Sequence, residues 1–87
     1  MRKDYIVNIS DYVEDFESDL QYKRLIKIIY CKDCTSEEDA VKKAKAILTS
    51  EGGHYGDIVD IIFDDEDAVF FDVEVIELHN DTVIYSH

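Results

Sequence analysis

The chain has 87 residues, of which 46% are hydrophobic and 34% are charged, and its formal net charge at pH 7 is -12. A chain of this length supplies one domain (residues 1–87) with a single core, and its apolar content is too high for a disordered acidic tail. The excess of carboxylates excludes direct binding to nucleic acid, because a field of one sign repels phosphates.

The first third of the chain predicts two strands separated by an acidic segment. Tyr5, Val7 and Ile9 alternate along the sequence, which predicts a first strand over about 4–10. Residues 11–20 are rich in carboxylates and fit either a short acidic helix or a long acidic loop. The β-branched and aromatic residues between positions 23 and 31 predict a second strand.

The middle of the chain predicts the one main helix, over about 36–50. Thr35 and Glu38 have capping-box spacing, and acidic residues fill the first turn, where they favour the helix dipole. Gly52 and Gly53 end the helix. Its apolar stripe consists of Ala40, Val41, Ala44, Ile47 and Leu48.

The remaining residues predict three more strands. They cover 57–63, 68–78 and 82–86, joined by an acidic turn at 64–67 and a tight turn at Asn80-Asp81. The order β-β-α-β-β-β predicts an α+β fold, in which the main helix packs on one face of a mostly antiparallel sheet.

No part of the sequence predicts export or membrane insertion. No apolar run reaches the roughly 18–20 residues of a membrane span, and no signal-peptide core follows Arg2 and Lys3. Two cysteines do not make a disulfide framework in a chain of this size. We therefore expect a soluble protein of the cytoplasm.

The charges are distributed unevenly along the chain. From Ala46 to His87 there are eleven acidic residues and no Lys or Arg, and all nine basic residues lie at or before Lys45. A small fold neutralises few of these acids internally, so most are expected to face solvent or a cationic partner. General solubility, or an organism whose proteins are all acidic, would produce the same composition.

One face of the predicted sheet mixes carboxylates with large apolar side chains, which indicates a protein-binding surface. Asp72 and Glu74 would stand about 6.7 Å apart on their strand, close to the phosphate spacing of an extended nucleic-acid strand. Acids between positions 11 and 19 would extend this surface. The predicted partner-binding residues are Asp60, Ile62, Asp64, Asp65, Glu66, Asp67, Phe70, Asp72, Glu74 and Ile76.

Two other interpretations of this face remain open. Lys23 and Lys27, on the predicted second strand, would pair with some of its acids across the sheet. The mixed face would otherwise be buried in a homodimer, in a structural or regulatory module without catalytic activity.

The motif Cys31-Lys32-Asp33-Cys34 precedes the predicted helix, where a helix N-terminus would lower the pKa of a thiol. The chain has no proline, and hence lacks the cis-proline that faces this motif in thioredoxin-like proteins. The spacing of its histidines matches no common zinc module. We expect Cys31 in the core and Cys34 partly exposed, and no cofactor or metal.

The run Asp64-Asp65-Glu66-Asp67 invites comparison with a calcium loop. It lacks the alternating ligands, the central glycine and the bidentate glutamate of an EF-hand, so an acidic turn is the better interpretation. No glycine-rich phosphate loop and no nucleophile in a known catalytic context is present. The sequence predicts a protein that is not an enzyme.

The chain resembles the small acidic phage-encoded inhibitors grouped as anti-CRISPR proteins and DNA mimics, in size, charge and order of elements. The segments YIVNI, IKIIYC and TSEEDAVKKAKAIL also look like those of small phage and mobile-element proteins. The resemblance implies a protein of the host cytoplasm that occupies the nucleic-acid-binding surface of a defence nuclease, such as a CRISPR effector. The implied partner is a basic protein surface.

Overall fold

Three strands, β1 (Lys3–Asp15), β2 (Leu20–Cys34) and β3 (Phe71–Leu78), form one antiparallel sheet in the order β2-β1-β3, which confirms the α+β class. A computed structural model describes residues 2–67 and 69–79 of the chain. Its elements are β1 (Lys3–Asp15), β2 (Leu20–Cys34), α1 (Glu37–Glu51), α2 (Gly53–Asp57), α3 (Val59–Phe63) and β3 (Phe71–Leu78). The predicted turn at Asn80-Asp81 and the predicted strand over 82–86 lie outside the described residues.

The central strand, β1, is longer than its pairing with β3. It pairs with β2 over its whole length, but with β3 only from Asp4 to Asp11. Residues 12–23 therefore project beyond the sheet as a two-stranded hairpin, here called the ribbon. Both alternatives predicted for 11–20, a short acidic helix and a long acidic loop, are wrong, because strand residues continue to Asp15 and a short turn at 16–19 leads directly into β2.

The N-cap of helix α1 lies one residue later than predicted. Ser36 is the N-cap and accepts a hydrogen bond from the Asp39 N–H (3.1 Å), and the Asp39 carboxylate accepts one from the Thr35 N–H (3.0 Å). The cap is thus the Ser36–Asp39 pair, not Thr35 and Glu38. The helix ends where Gly52 takes a positive φ of 73°, as the glycine pair predicts.

The strand predicted over 57–63 is wrong, because this segment is helical and forms the end of α2 and the whole of α3. Val59, Ile61 and Phe63 alternate as in a strand, but Val59, Ile62 and Phe63 also have helical spacing. Packing decides between the two patterns: Val59 and Ile62 are buried, while Ile61 is exposed. Helix α3 contacts both α1 and β3.

The core lies between the helices and one face of the sheet. Alternate residues of β1 point into it, and the buried face of α1 lies against the sheet. Cys31 and Cys34 are both buried there, so the predicted partial exposure of Cys34 is wrong. The buried apolar residues are Tyr5, Val7, Ile9, Ile29, Cys31, Cys34, Ala40, Ala44, Leu48, Val59 and Ile62. Within the described ranges, no helix is long and apolar enough to cross a bilayer.

Candidate binding surfaces

The cations of β1 and β2 are used largely within the molecule. Lys23 crosses the sheet to Asp72 of β3 at 3.0 Å. Arg24 donates two hydrogen bonds to the Asp11 carboxylate, at 2.8 and 3.1 Å. Lys3 lies 2.7 Å from Glu77, and Lys27 pairs with Glu51 at the end of α1. Carboxylates of the acidic second half are thereby neutralised by cations of the first half.

The turn of the ribbon carries carboxylates around an exposed aromatic ring. Phe16 is 87% exposed and lies between Asp15 and Glu17 in the sequence. Hydrogen bonds from the Ser18 side chain and the Glu17 N–H hold the pKa of Asp15 below its ordinary value. We call residues 14–19, which are the last two residues of β1 and the turn itself, the ribbon turn; its exposed acids are Glu14, Asp15, Glu17 and Asp19.

The acidic loop (residues 64–67) connects α3 to β3, and does not join two strands as predicted. Asp65 folds back on the chain and accepts hydrogen bonds from the N–H groups of Val69, Phe70 and Phe71, at 3.2, 2.8 and 2.8 Å. These bonds, chiefly those from Phe71 and Phe70, lower the pKa of Asp65. The other three acids of the loop are exposed, and the nearby Phe70 ring is 67% exposed.

These two groups lie at the same end of the sheet. Strand β3 begins at Phe71, opposite Asp11, which is close to the point where the ribbon leaves the sheet. The acidic loop therefore approaches the base of the ribbon, and we call residues 14–19 and 64–67 together the acidic end. Among residues 2–67 and 69–79, no Lys or Arg nitrogen lies within 4.0 Å of these carboxylates.

The structure divides the ten predicted partner-binding residues. Ile62 is 1% exposed and belongs to the core, so its predicted role as an anchor is wrong. Asp72 is paired with Lys23, as the alternative interpretation predicts. The Asp65 carboxylate accepts backbone hydrogen bonds from the segment that follows its loop. Asp72 and Glu74 therefore do not form a pair of free phosphate-like charges. The exposed members are Asp60, Asp64, Glu66, Asp67, Phe70, Glu74 and Ile76.

The sheet face turned away from α1, here called the open face, carries an apolar row of which the sequence predicted only Ile76. Tyr30, Ile6 and Ile76 stand side by side on the three strands, and Ile28 follows Tyr30 on β2. Tyr30, Ile28 and Ile76 are exposed. The alternation of apolar residues along β2 places Tyr30 and Ile28 on one face. The sequence instead predicts apolar residues of 57–63 on this face, although that segment is helical.

The two thiols of the cysteine motif are buried. Burial raises the pKa of both the Cys31 and the Cys34 thiol, whereas a redox-active thiol needs a lowered pKa. In the part of the chain that the structure describes, no three His, Cys, Asp or Glu side chains are grouped so that they could hold a metal ion.

The comparisons with known proteins add no relative to this description. No family model matches the chain, and neither a curated protein nor a solved structure does.

Proposed function

We propose that this protein is a noncatalytic inhibitor whose acidic end occupies the basic, nucleic-acid-binding surface of another protein. The single observation that carries the proposal is the exposure of seven carboxylates at one end of the molecule, four in the ribbon turn and three in the acidic loop. A defence nuclease, and among these a CRISPR effector, is the partner that the resemblance in size, charge and element order favours.

The placement of the charges argues against solubility as their purpose. A carboxylate keeps a protein soluble wherever it is exposed, so that purpose does not require the charges to be collected. Here the sheet pairs several of its acids with Lys and Arg, while the acidic end leaves its own without such partners among the described residues. A concentrated negative field steers the protein toward a cationic surface and disfavours acidic partners.

Two exposed aromatic rings lie at the acidic end and can provide apolar contacts with a partner. Phe16 and Phe70 belong to the ribbon turn and to the segment after the acidic loop, respectively, and both lie among carboxylates. Buried aromatic anchors carry much of the affinity in protein interfaces, and a surrounding charged rim selects the partner. The acidic end combines these two elements.

The test is competition with DNA for a purified CRISPR effector loaded with its guide RNA. Labelled target DNA and the protein are mixed with the effector, and bound DNA is measured as the protein concentration rises. The protein is expected to displace DNA. Its inhibition constant should rise as salt is raised from 0.1 M to 0.5 M, because screening reduces the attraction between opposite charges. Simultaneous binding of DNA and this protein to the effector, or an inhibition constant that does not change with salt, would contradict the proposal.

Matched charge variants locate the surface. The first is the ribbon triple Glu14→Gln, Glu17→Gln, Asp19→Asn, and the second is the loop triple Asp64→Asn, Glu66→Gln, Asp67→Asn. The control triple Glu37→Gln, Glu38→Gln, Asp57→Asn removes the same charge from exposed acids elsewhere. The first two variants are expected to lose about tenfold or more in affinity, and the control much less. Equal losses in all three would show that only net charge matters.

A further inference from the structure

We propose that the open face binds a second copy of this chain, in a weak two-fold dimer. The first observation is a contiguous apolar surface on the side of the sheet opposite α1. Tyr30, Ile6 and Ile76 form one row across the three strands, and Ile28 and Leu25 extend it along β2. Ile28 is 59% exposed, and Leu25 is also exposed, so large aliphatic side chains face solvent there.

The second observation is that this face is almost free of surplus charge. Lys23 is paired with Asp72, and Asp4 accepts a hydrogen bond from the Tyr30 hydroxyl at 2.8 Å. The Lys32 ammonium lies 5.9 Å from the centre of the Tyr30 ring. Two cations thus stand against three anions, the third being the exposed Glu74. The open face is therefore close to neutral, although the whole chain has a net charge of -12.

The charge balance selects the occupant. A basic partner is attracted to the acidic end and gains little from a nearly neutral face, and a partner whose own binding surface is acidic gains no attraction from this face. A second copy presents the same neutral, apolar face and carries its charge surplus elsewhere. Self-association is therefore least opposed by repulsion on this face.

The fold also favours one arrangement of the two copies. The two-fold axis would lie in the interface plane and run perpendicular to the strands. It places β2 of one copy on β2 of the other, so that Tyr30 of each can contact Ile28 of its partner. The same axis points the two acidic ends in opposite directions. Since the molecule is 46 Å long, and the Debye length is about 8 Å at physiological salt, these ends would not repel one another strongly.

The size of the face predicts a weak dimer. Eight paired rows at about 3.3 Å and three strands at about 4.8 Å give a planar area of roughly 26 by 14 Å on each copy. Allowing for side-chain relief, the two copies would bury roughly 1,000 Å² in total, which is at the low end for specific complexes. For a small interface of this kind we expect a dissociation constant in the micromolar range or above.

The test is sedimentation equilibrium of the full chain over a concentration series, from micromolar to about 1 mM. The wild-type mass is expected to rise from 10.1 kDa toward twice that value. Ile28→Glu is expected to raise the dissociation constant about tenfold or more. Ile61→Glu is the matched control, because Ile61 is also 59% exposed but lies on α3, and it should dimerise like the wild type. Thermal melts check that both variants are folded.

Salt separates this proposal from the proposed function, on which it does not depend. Added salt should leave dimerisation unchanged or strengthen it, because it screens repulsion between two acidic chains, whereas it should weaken binding to a basic partner. If the wild-type protein stays monomeric throughout the series, the dimer proposal is wrong. This holds even if the Ile28→Glu variant loses affinity for another protein. Equal dimerisation of the two variants also overturns it.

Discussion

In the sheet formed by β1, β2 and β3, the carboxylates of Asp72 and Asp11 each lie within 3.0 Å of a Lys or Arg nitrogen. In the acidic end, no carboxylate has such a neighbour among the residues that the structure describes. Both regions are rich in acids in the sequence, and only the fold distinguishes them. The pairing of β1 with β2 and β3 brings Arg24 to Asp11 and Lys23 to Asp72, and the surplus of carboxylates remains where the pairing with β3 stops.

The comparison separates two uses of a carboxylate. A paired carboxylate in the sheet holds strands together, whereas an unpaired one at the acidic end repels its neighbours and is available to a partner. The variants below change residues on each side of this division, and the largest effect is expected in the core that supports both regions.

Ile62→Ala is expected to cause the largest loss, about 2–5 kcal/mol in the free energy of unfolding, because it leaves a cavity beneath α3. Urea denaturation of this variant measures the loss. Ile61→Ala, one residue earlier and exposed, should change stability by no more than about 0.5 kcal/mol. Similar values for the two variants would contradict the helical assignment of 59–63, which buries only one of them.

Asp65→Asn is expected to lower stability at neutral pH, because Asp65 accepts three backbone hydrogen bonds as a carboxylate. Since folding lowers the pKa of Asp65, its stabilisation is complete above the ordinary Asp pKa near 4 and is lost as the pH falls through the lowered value. The difference between wild type and variant should therefore shrink below about pH 4.

Asp67→Asn provides the control for this titration, since it removes one charge from the same loop at an exposed position. Urea unfolding at a series of pH values, from 7 downward, compares the three proteins. If Asp65→Asn is as stable as Asp67→Asn at pH 7, the hydrogen bonds of Asp65 do not hold the loop.

The smallest effect is expected from a pair of charge-matched variants, Asp72→Asn and Glu66→Gln. Asp72→Asn leaves Lys23 without its partner across the sheet and should lower the melting temperature slightly. Glu66→Gln removes an exposed charge that has no Lys or Arg partner among the described residues, and it should leave the melting temperature unchanged or raise it. The difference should diminish in high salt, and a difference of the opposite sign would invalidate the division between the two regions.

Long elements with several consistent signals could be predicted from the sequence. Helix α1 has a capping residue, acids in its first turn, an apolar stripe and a terminal glycine, and it was predicted to within about a residue. The segment 57–63 has only five helical residues after Ile58, and its apolar residues satisfy both the strand and the helix period. Contacts with α1 and β3 decide its structure, and these cannot be read from the segment itself.

The candidate surface could be predicted only in part, because exposure depends on partners distant in sequence. The acidic loop could be predicted from its composition. The hydrogen bonds that Asp65 accepts from the backbone depend on a turn geometry that composition does not specify. The apolar row on the open face depends on the register that sets Tyr30 and Ile76 on either side of Ile6. That register follows from the β1–β2 hairpin and from the crossover through three helices.

The two cysteines give the protein a built-in reporter of its own folding. Both thiols are buried, one within β2 and the other at its end, just before α1. A thiol reagent can reach them only when the packing between the sheet and α1 opens, and their raised pKa slows the reaction further. The rate of alkylation therefore measures the opening of this packing, without an added dye or an engineered label.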